Sequence, residues 1–265
     1  MPQALFISKN LIGDGLNISS ALRAWYRSYA DPAWQIDLLT HRDHAAVIYE
    51  HMGVLLRVIF DAPRLSDYFF QFDFDCSKAF ALGEKSNKHI AECYAEMLGV
   101  GIASTKPTFI PVEEEHEKDL ILISPFSRSC SSQEGKPPNK MLPWAKLGPI
   151  VAYLRTLGKI GVLGGPDDRA PLEIEETEYY TGLPLNKVAL MLRDCKMLFT
   201  VDNGMSHLAA SQETRSIVLY PSCLKQSWIT PKGNPNAAIL HIDPVVVLSA
   251  SLMWNVKQIV KGWNF

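Results

Sequence analysis

Cysteine is scarce in this 265-residue chain: Cys76, Cys93, Cys130, Cys195 and Cys223 are odd in number, scattered and without CxxC spacing. That pattern argues against a disulfide scaffold or a cysteine-built zinc site, and it suits a reducing compartment. Neither sign of charge is in excess, since 26 Lys and Arg face 28 Asp and Glu for a formal net charge of −2. The balance gives no strong signal for nucleic acid or for a membrane surface, although a local basic groove is compatible with it. Long apolar runs are missing as well. The opening run, residues 1–8, meets Lys9 too soon for a signal peptide, and no later run can span a bilayer. No transmembrane segment is expected, and the expected location is cytoplasmic, or at most peripheral to a membrane. There is no short internal repeat and no low-complexity segment.

What the chain does have is alternation. Apolar strand-like runs at 4–7, 35–39, 55–60 and 68–74 are interleaved with helical spacing at 18–29, 44–52 and 89–98, the last stopped by Gly99. Residues 107–119 break the pattern with two prolines and the acidic run Glu113-Glu114-Glu115-His116-Glu117, which reads as a solvated linker. The alternation then restarts, with strands at 120–123, 160–163, 197–201 and 217–220 and helices at 144–157, 185–195 and 245–260. Strands alternating with helices imply parallel βαβ units. The expected fold is α/β, with an N-terminal Rossmann-like domain over 1–112 and a C-terminal one over 119–265.

Open sheets of this kind bind ligands beyond the carboxyl ends of their strands, and the polar clusters fall at those ends. In the first half the cluster is Gly13-Asp14-Gly15. Its glycines permit close backbone approach, and Asp14 is either a helix cap or a carboxylate held at a helix N-terminus. In the second half, residues 124–140 form a hydroxyl-rich loop with Ser127, Arg128, Lys136 and Lys140. It is either a phosphate grip or a surface loop. Gly164-Gly165-Pro166-Asp167-Asp168 is either a nucleoside contact or a plain turn.

The third cluster is Asp202-Asn203-Gly204-Met205-Ser206-His207-Leu208-Ala209-Ala210. It reads as a strand end, a tight turn and a first helical turn whose N–H groups and dipole suit a phosphate. A histidine in such a Leu/Ala context is more often packed than catalytic, though the first turn brings His207 toward a bound phosphate. Asp73-Phe74-Asp75 looks like a divalent-metal triplet but lies in an alternating strand, so no metal site is expected. Residues 161–165 lack the GxGxxG spacing of a dinucleotide fingerprint.

In this order the motifs resemble the lipopolysaccharide heptosyltransferase-like glycosyltransferases of family 9. Ile12-Gly13-Asp14 with Ala21-Leu22-Arg23 is similar to that family's first loop and helix. Residues 69–75 and 89–99 are similar to its acidic-ended strand and to the helix closing its first domain. Lys140-Met141-Leu142-Pro143-Trp144 resembles its Lys-x-Trp-Pro region, and Val162-Leu163-Gly164-Gly165 its Gly-Gly turn. The stretch from Asp202 to Ala210 resembles its Asp-Thr-Gly-x-x-His-Leu-Ala-Ala signature, the most specific of these matches.

The resemblance implies a GT-B architecture: two Rossmann-like domains facing a central cleft, with a C-terminal helix packing back toward the first. It also implies a hexosyl- or heptosyltransferase-like enzyme that inverts a nucleotide-diphosphate sugar, needing no cofactor or metal beyond that co-substrate. Asp14 would then be the general base. Lys140, Ser127 and the helix N-terminus after Gly204 would stabilise the leaving diphosphate. Arg128 belongs to the same phosphate loop, and Gly165, Asp167 and Asp168 would lie near the nucleoside. The acceptor is a glycan, lipid-linked, protein or other hydroxyl-bearing group.

Three departures stand out. The first half is short for the family, the signature threonine is Asn203, and Ser127-Arg128-Ser129-Cys130 matches the phosphate loop loosely. A nucleotide-sugar epimerase or hydrolase of the same fold, or a non-catalytic nucleotide-sugar-binding protein, is the alternative.

Overall fold

The structure is a computed structural model that describes residues 3–29, 34–41, 46–113, 120–127, 144–168, 177–221, 233–242 and 250–263. Two compact units divide the chain, one of Met1–Val112 with Pro231–Gly233, the other of Glu113–Thr230 with Asn234–Phe265.

The first unit begins with β1 (Gln3–Ile7), α1 (Ile12–Tyr29), β2 (Gln35–Leu39), α2 (Ala46–Glu50) and β3 (Arg57–Ile59). A short 3₁₀ turn leads to β4 (Phe70–Asp73), α3 (Cys76–Ser86) and α4 (Ile90–Met97). Its four strands are parallel in the order β3-β2-β1-β4. Leu5 and Phe6 of β1 are fully buried, and Phe6 meets Trp25 of α1 edge-on at 4.8 Å.

Two features of this unit differ from the sequence reading. Helix α1 starts at Ile12, so Gly13, Asp14 and Gly15 form its first turn and not a loop. Each glycine costs a helix about 1 kcal/mol of propensity, and packing overrides it. A Cβ on Gly15 would come within 3.1 Å of Ile48, so the bare Cα lets α2 approach α1. Helix α3 falls where no element is expected. Asp75 caps it by accepting from the N–H groups of Ser77 and Lys78, and Asn87 closes it in the left-handed region at φ 53°.

The second unit runs β5 (Leu120–Ser124), α5 (Trp144–Arg155), β6 (Lys159–Gly164), β7 (Thr177–Thr181), α6 (Leu185–Asp194) and β8 (Met197–Val201). Then come α7 (Gly204–Ser211), β9 (Ser216–Pro221), β10 (Ala237–Ile242) and α8 (Ala250–Gly262). All six strands are parallel, in the order β10-β9-β8-β5-β6-β7.

The central strands β5 and β8 are buried along their whole length, which is why they read as unbroken apolar runs. The edge strands β7 and β10 are only partly covered and escape the apolar-run signal. The C-terminal helix α8 lays Leu252, Val256 and Val260, four residues apart, into the cluster formed by Ile150, Leu154, Ile121 and Ile217. Its apolar face is thus taken up by the second unit's own core.

Candidate functional site

In the first sheet β1 lies between β2 and β4, so the chain departs from β1 in both directions. The carboxyl edge above β1 and β4 is therefore a topological switch point, where open α/β sheets take ligands. Asp14, half-buried, stands there in the first turn of α1. Asn17 steadies the turn, its Nδ2 donating to the Gly13 carbonyl at 2.9 Å. The Phe74 N–H donates to the carbonyl of Ile7 at 2.9 Å and joins the two strand ends.

Beyond Phe74 the chain reaches the Asp75 cap and Cys76, the first residue of α3. Burial pushes the Cys76 thiol up from its ordinary value, and the charges of Asp14 and Asp75 push the same way, so it is held as a thiol. Beneath this edge lie two fully buried phenols. Tyr49 shares a 2.5 Å hydrogen bond with the Ser8 hydroxyl, and Tyr94 packs edge-on against Phe74 at 5.9 Å. Neither tyrosine, nor Cys76, is marked by any motif; they are found only once α2, α3 and α4 are in place.

In the second sheet the switch point is at β5, between β8 and β6. Register places Ser124 beside Thr200, and Ile123 beside Val162, so the loops after β5, β6 and β8 leave one edge together. These loops carry Ser127, the 164–168 turn and Asp202 to Ser206. The topology therefore assembles three of the polar clusters that were separate in sequence. Arg128 and Lys140 lie outside the described residues.

The turn after β8 differs in detail from the expected anion cradle. Asn203 is the N-cap of α7, and its Oδ1 accepts from the N–H groups of Met205 at 3.0 Å and Ser206 at 3.1 Å. Two first-turn donors that the sequence reading offers to a phosphate are thus answered by the protein itself. The Asn203 Nδ2 donates to the Phe126 carbonyl at 2.8 Å and to the Ser124 hydroxyl at 3.2 Å, tying the loop after β5 to the turn after β8. Thr200 adds a hydroxyl donated to the Ser124 carbonyl at 2.8 Å.

Ser206 is buried, and its hydroxyl donates back to the Asn203 carbonyl at 2.7 Å. Asp202 and His207 are 2% and 3% exposed, with Asp202 Oδ1 4.0 Å from His207 Nε2. Their place is internal, as a packed pair bracing the turn. Gly204 and Met205 are the partly exposed positions of this helix start.

In the turn after β6, the Gly165 N–H donates to Asp168 Oδ2 at 2.7 Å, and the Asp168 N–H donates to the Gly165 carbonyl at 3.1 Å. Asp168 closes this turn, which leaves Asp167 as its exposed carboxylate. A Cβ on Gly164 would lie 3.1 Å from the Phe126 ring, so the glycine there lets the neighbouring loop pack close. Among the described residues no group of three or more His, Cys, Asp or Glu side chains is arranged to hold a metal ion.

Residues 168–242 match the profile of glycosyltransferase family 9 (heptosyltransferase), a span that contains the turn after β8. No curated protein sequence matches the chain. Among solved structures, the Escherichia coli ADP-heptose lipopolysaccharide heptosyltransferase II superposes with a TM-score of 0.72 at 15% identity, covering 98% of this chain and 99% of that one. E. coli heptosyltransferase WaaC, solved with ADP, gives 0.67 at 15% identity over 98% and 99%. The family 9 glycosyl transferase from Veillonella parvula DSM 2008 gives 0.64 at 15% identity over 98% and 89%. The fold of this chain is therefore of GT-B type, with two parallel α/β sheets.

Proposed function

We propose, for this heptosyltransferase-like glycosyltransferase, an inverting transfer from a nucleoside-diphosphate sugar to an acceptor hydroxyl. Asp14 is the general base. It takes the proton of the acceptor hydroxyl while that oxygen bonds to the anomeric carbon and the bond from that carbon to the diphosphate breaks. The second unit holds the donor. Its diphosphate is assigned to Lys140, Arg128 and Ser127, and its nucleoside to Asp167 and the backbone of Gly164 and Gly165. With Met205 and Ser206 already capped by Asn203, α7 contributes chiefly its positive dipole end, near Gly204.

The observation that carries the reading is the family 9 match over 168–242, whose signature turn lies at the switch-point edge of the second sheet. The donor class is supported by the likeness to heptosyltransferases solved with ADP and an ADP-heptose analogue, so ADP-linked sugars are the first to try. The acceptor is assigned only as a hydroxyl-bearing glycan, lipid-linked group or protein. Among the described residues no helix is long and apolar enough to cross a membrane.

The test is a thermal-shift screen of nucleoside diphosphates and their sugars, followed by transfer assays on Asp14→Ala. A donor that binds at one hundred times its Kd should add about 2.7 kcal/mol to stability. Asp14→Ala should keep that shift and lose transfer. If no nucleotide shifts the melting point, the donor reading fails; normal turnover by Asp14→Ala removes the base.

A further inference from the structure

Tyr94 is an anomaly in the first unit. It is fully buried, and its hydroxyl has no hydrogen-bond partner. Tyr49, equally buried, has its hydroxyl bonded to Ser8. Leaving a phenol O–H unanswered in a core is unfavourable, and phenylalanine would fill the same space without that cost. The position of Tyr94 gives the hydroxyl a use. Its ring rests on Phe74, whose N–H ties the end of β4 to the last residue of β1, and its helix packs against α1. It therefore sits beneath the end of β4, on the same side of the sheet as α1, whose first turn carries Asp14 at the switch-point edge. A second orphan lies on the same helix as Asp14: the Oδ1 of Asn17, which is 1% exposed and has no partner, while its Nδ2 holds the Gly13 carbonyl.

We infer that Tyr94 is a positioning residue for Asp14: when ligands bind, its buried and otherwise unpartnered hydroxyl turns to donate to the carboxylate and holds it as it receives the acceptor's proton. This rests on the reading of Asp14 as the base. Catalytic hydrogen bonds are often long in unliganded enzymes and tighten when substrate binds. The phenol keeps its own proton throughout. Burial, and then the charge of Asp14, push Tyr94 far above the usual tyrosine range, so it serves only as a donor. The acceptor's proton goes to Asp14 and the electron pair of the breaking bond to the diphosphate, so Tyr94 undergoes no net chemistry.

A donor to the charged form of a carboxylate lowers its pKa, so removing the donor should raise it. The direct measurement is a carboxyl ¹³C NMR titration of Asp14 with ADP bound, its resonance identified by its loss in Asp14→Asn. In Tyr94→Phe the Asp14 midpoint should move up by about one pH unit. Nucleotide release, measured with ADP-heptose or whichever nucleotide sugar gives the largest thermal shift, should fall about tenfold or more in kcat. KM for the donor should stay within about twofold, and the acid limb of the profile should rise with the midpoint. The melting temperature should not drop, because the variant loses an unsatisfied hydroxyl.

A purely structural tyrosine predicts the opposite set: a changed melting temperature with the Asp14 midpoint and the acid limb unmoved. That result overturns the inference. Site-specific 3-fluorotyrosine at position 94 supplies an independent reading if Tyr94→Phe fails to fold. As a stronger donor it should move the midpoint and limb down, and an unmoved midpoint again overturns the inference. Asp14→Asn separates the two proposals. If that variant is inactive while Tyr94→Phe is normal, only Tyr94 is misassigned. If Asp14→Asn turns over normally, the base reading falls and the role of Tyr94 with it.

Discussion

Asn203 gives the sharpest test of how the second unit's site is built, because one side chain performs two tasks with opposite ends. Its oxygen caps α7 through Met205 and Ser206, and its amide group ties down Phe126 and Ser124. Asn203→Ala removes both. The cap is worth about 1 kcal/mol, and the Phe126 carbonyl loses its 2.8 Å donor for about another 1. With the Ser124 hydroxyl bond included, the expected loss is about 2–3 kcal/mol.

Asn203→Thr introduces the threonine of the family 9 signature that this turn resembles. It keeps an acceptor for the cap but supplies no NH₂, so it should lose about 1 kcal/mol. Asn203→Asp keeps the cap and turns a carboxylate oxygen toward the Phe126 and Ser124 carbonyls, so it should be less stable than the threonine variant. The assay is urea unfolding, paired with hydrogen exchange at the Met205 and Ser206 amides. Those amides should lose protection in Asn203→Ala and keep it in Asn203→Thr and Asn203→Asp. An aspartate variant as stable as the wild type would show that the amide is not the donor to Phe126, and the account of how the two loops are joined would be wrong.

Two further predictions concern the frame around the site. Asp37 is fully buried and takes Arg57 Nε at 2.9 Å, Arg57 Nη2 at 2.6 Å and the Tyr68 hydroxyl at 2.5 Å. Burial alone pushes its carboxyl up, but the hydrogen bonds from Arg57, Tyr68 and Gln35 outweigh it and hold the value below the usual range. The folded value lies below the unfolded one. The stabilisation is therefore complete above about pH 4 and is lost as pH falls through the folded value. Asp37→Asn should be less stable at pH 7 and should show a shallower acid loss in urea midpoints between pH 7 and 2.5; parallel curves would refute this.

Gly161 in β6 has no room for a side chain, since a Cβ would lie 2.7 Å from the Tyr180 ring and 3.0 Å from Leu122. Gly161→Ala should cost about 1–3 kcal/mol, and adding Tyr180→Ala should recover part of it in a double-mutant cycle. Additive losses would show that Tyr180 does not cause the clash.

The elements that were legible in sequence are those whose signal is local. β1, β2, β5 and β8 are buried runs whose own residues announce them, and Gly99 at φ +74° ends its helix region where a left-handed residue is required. The elements missed are those whose environment comes from elsewhere. β7 is the sequence Thr-Glu-Tyr-Tyr-Thr at an edge, made a strand by pairing with β6. Asp75 reads in sequence only as the end of an alternating strand, whereas its carboxylate holds the first turn of α3.

The site divides in the same way. The sequence determined that this is an α/β chain with polar clusters at its strand ends, including Asp14 and the turn from Asp202 to Ser206, because strand, helix and turn preferences are carried by neighbouring residues. Tertiary structure alone decided that β8, β5 and β6 are adjacent and so bring three clusters to one edge. It also decided that Asn203 turns inward as a cap and that Tyr94 is buried against Phe74 at the end of β4. Strand order and side-chain direction are set by packing between residues far apart in the chain, and no local pattern encodes them.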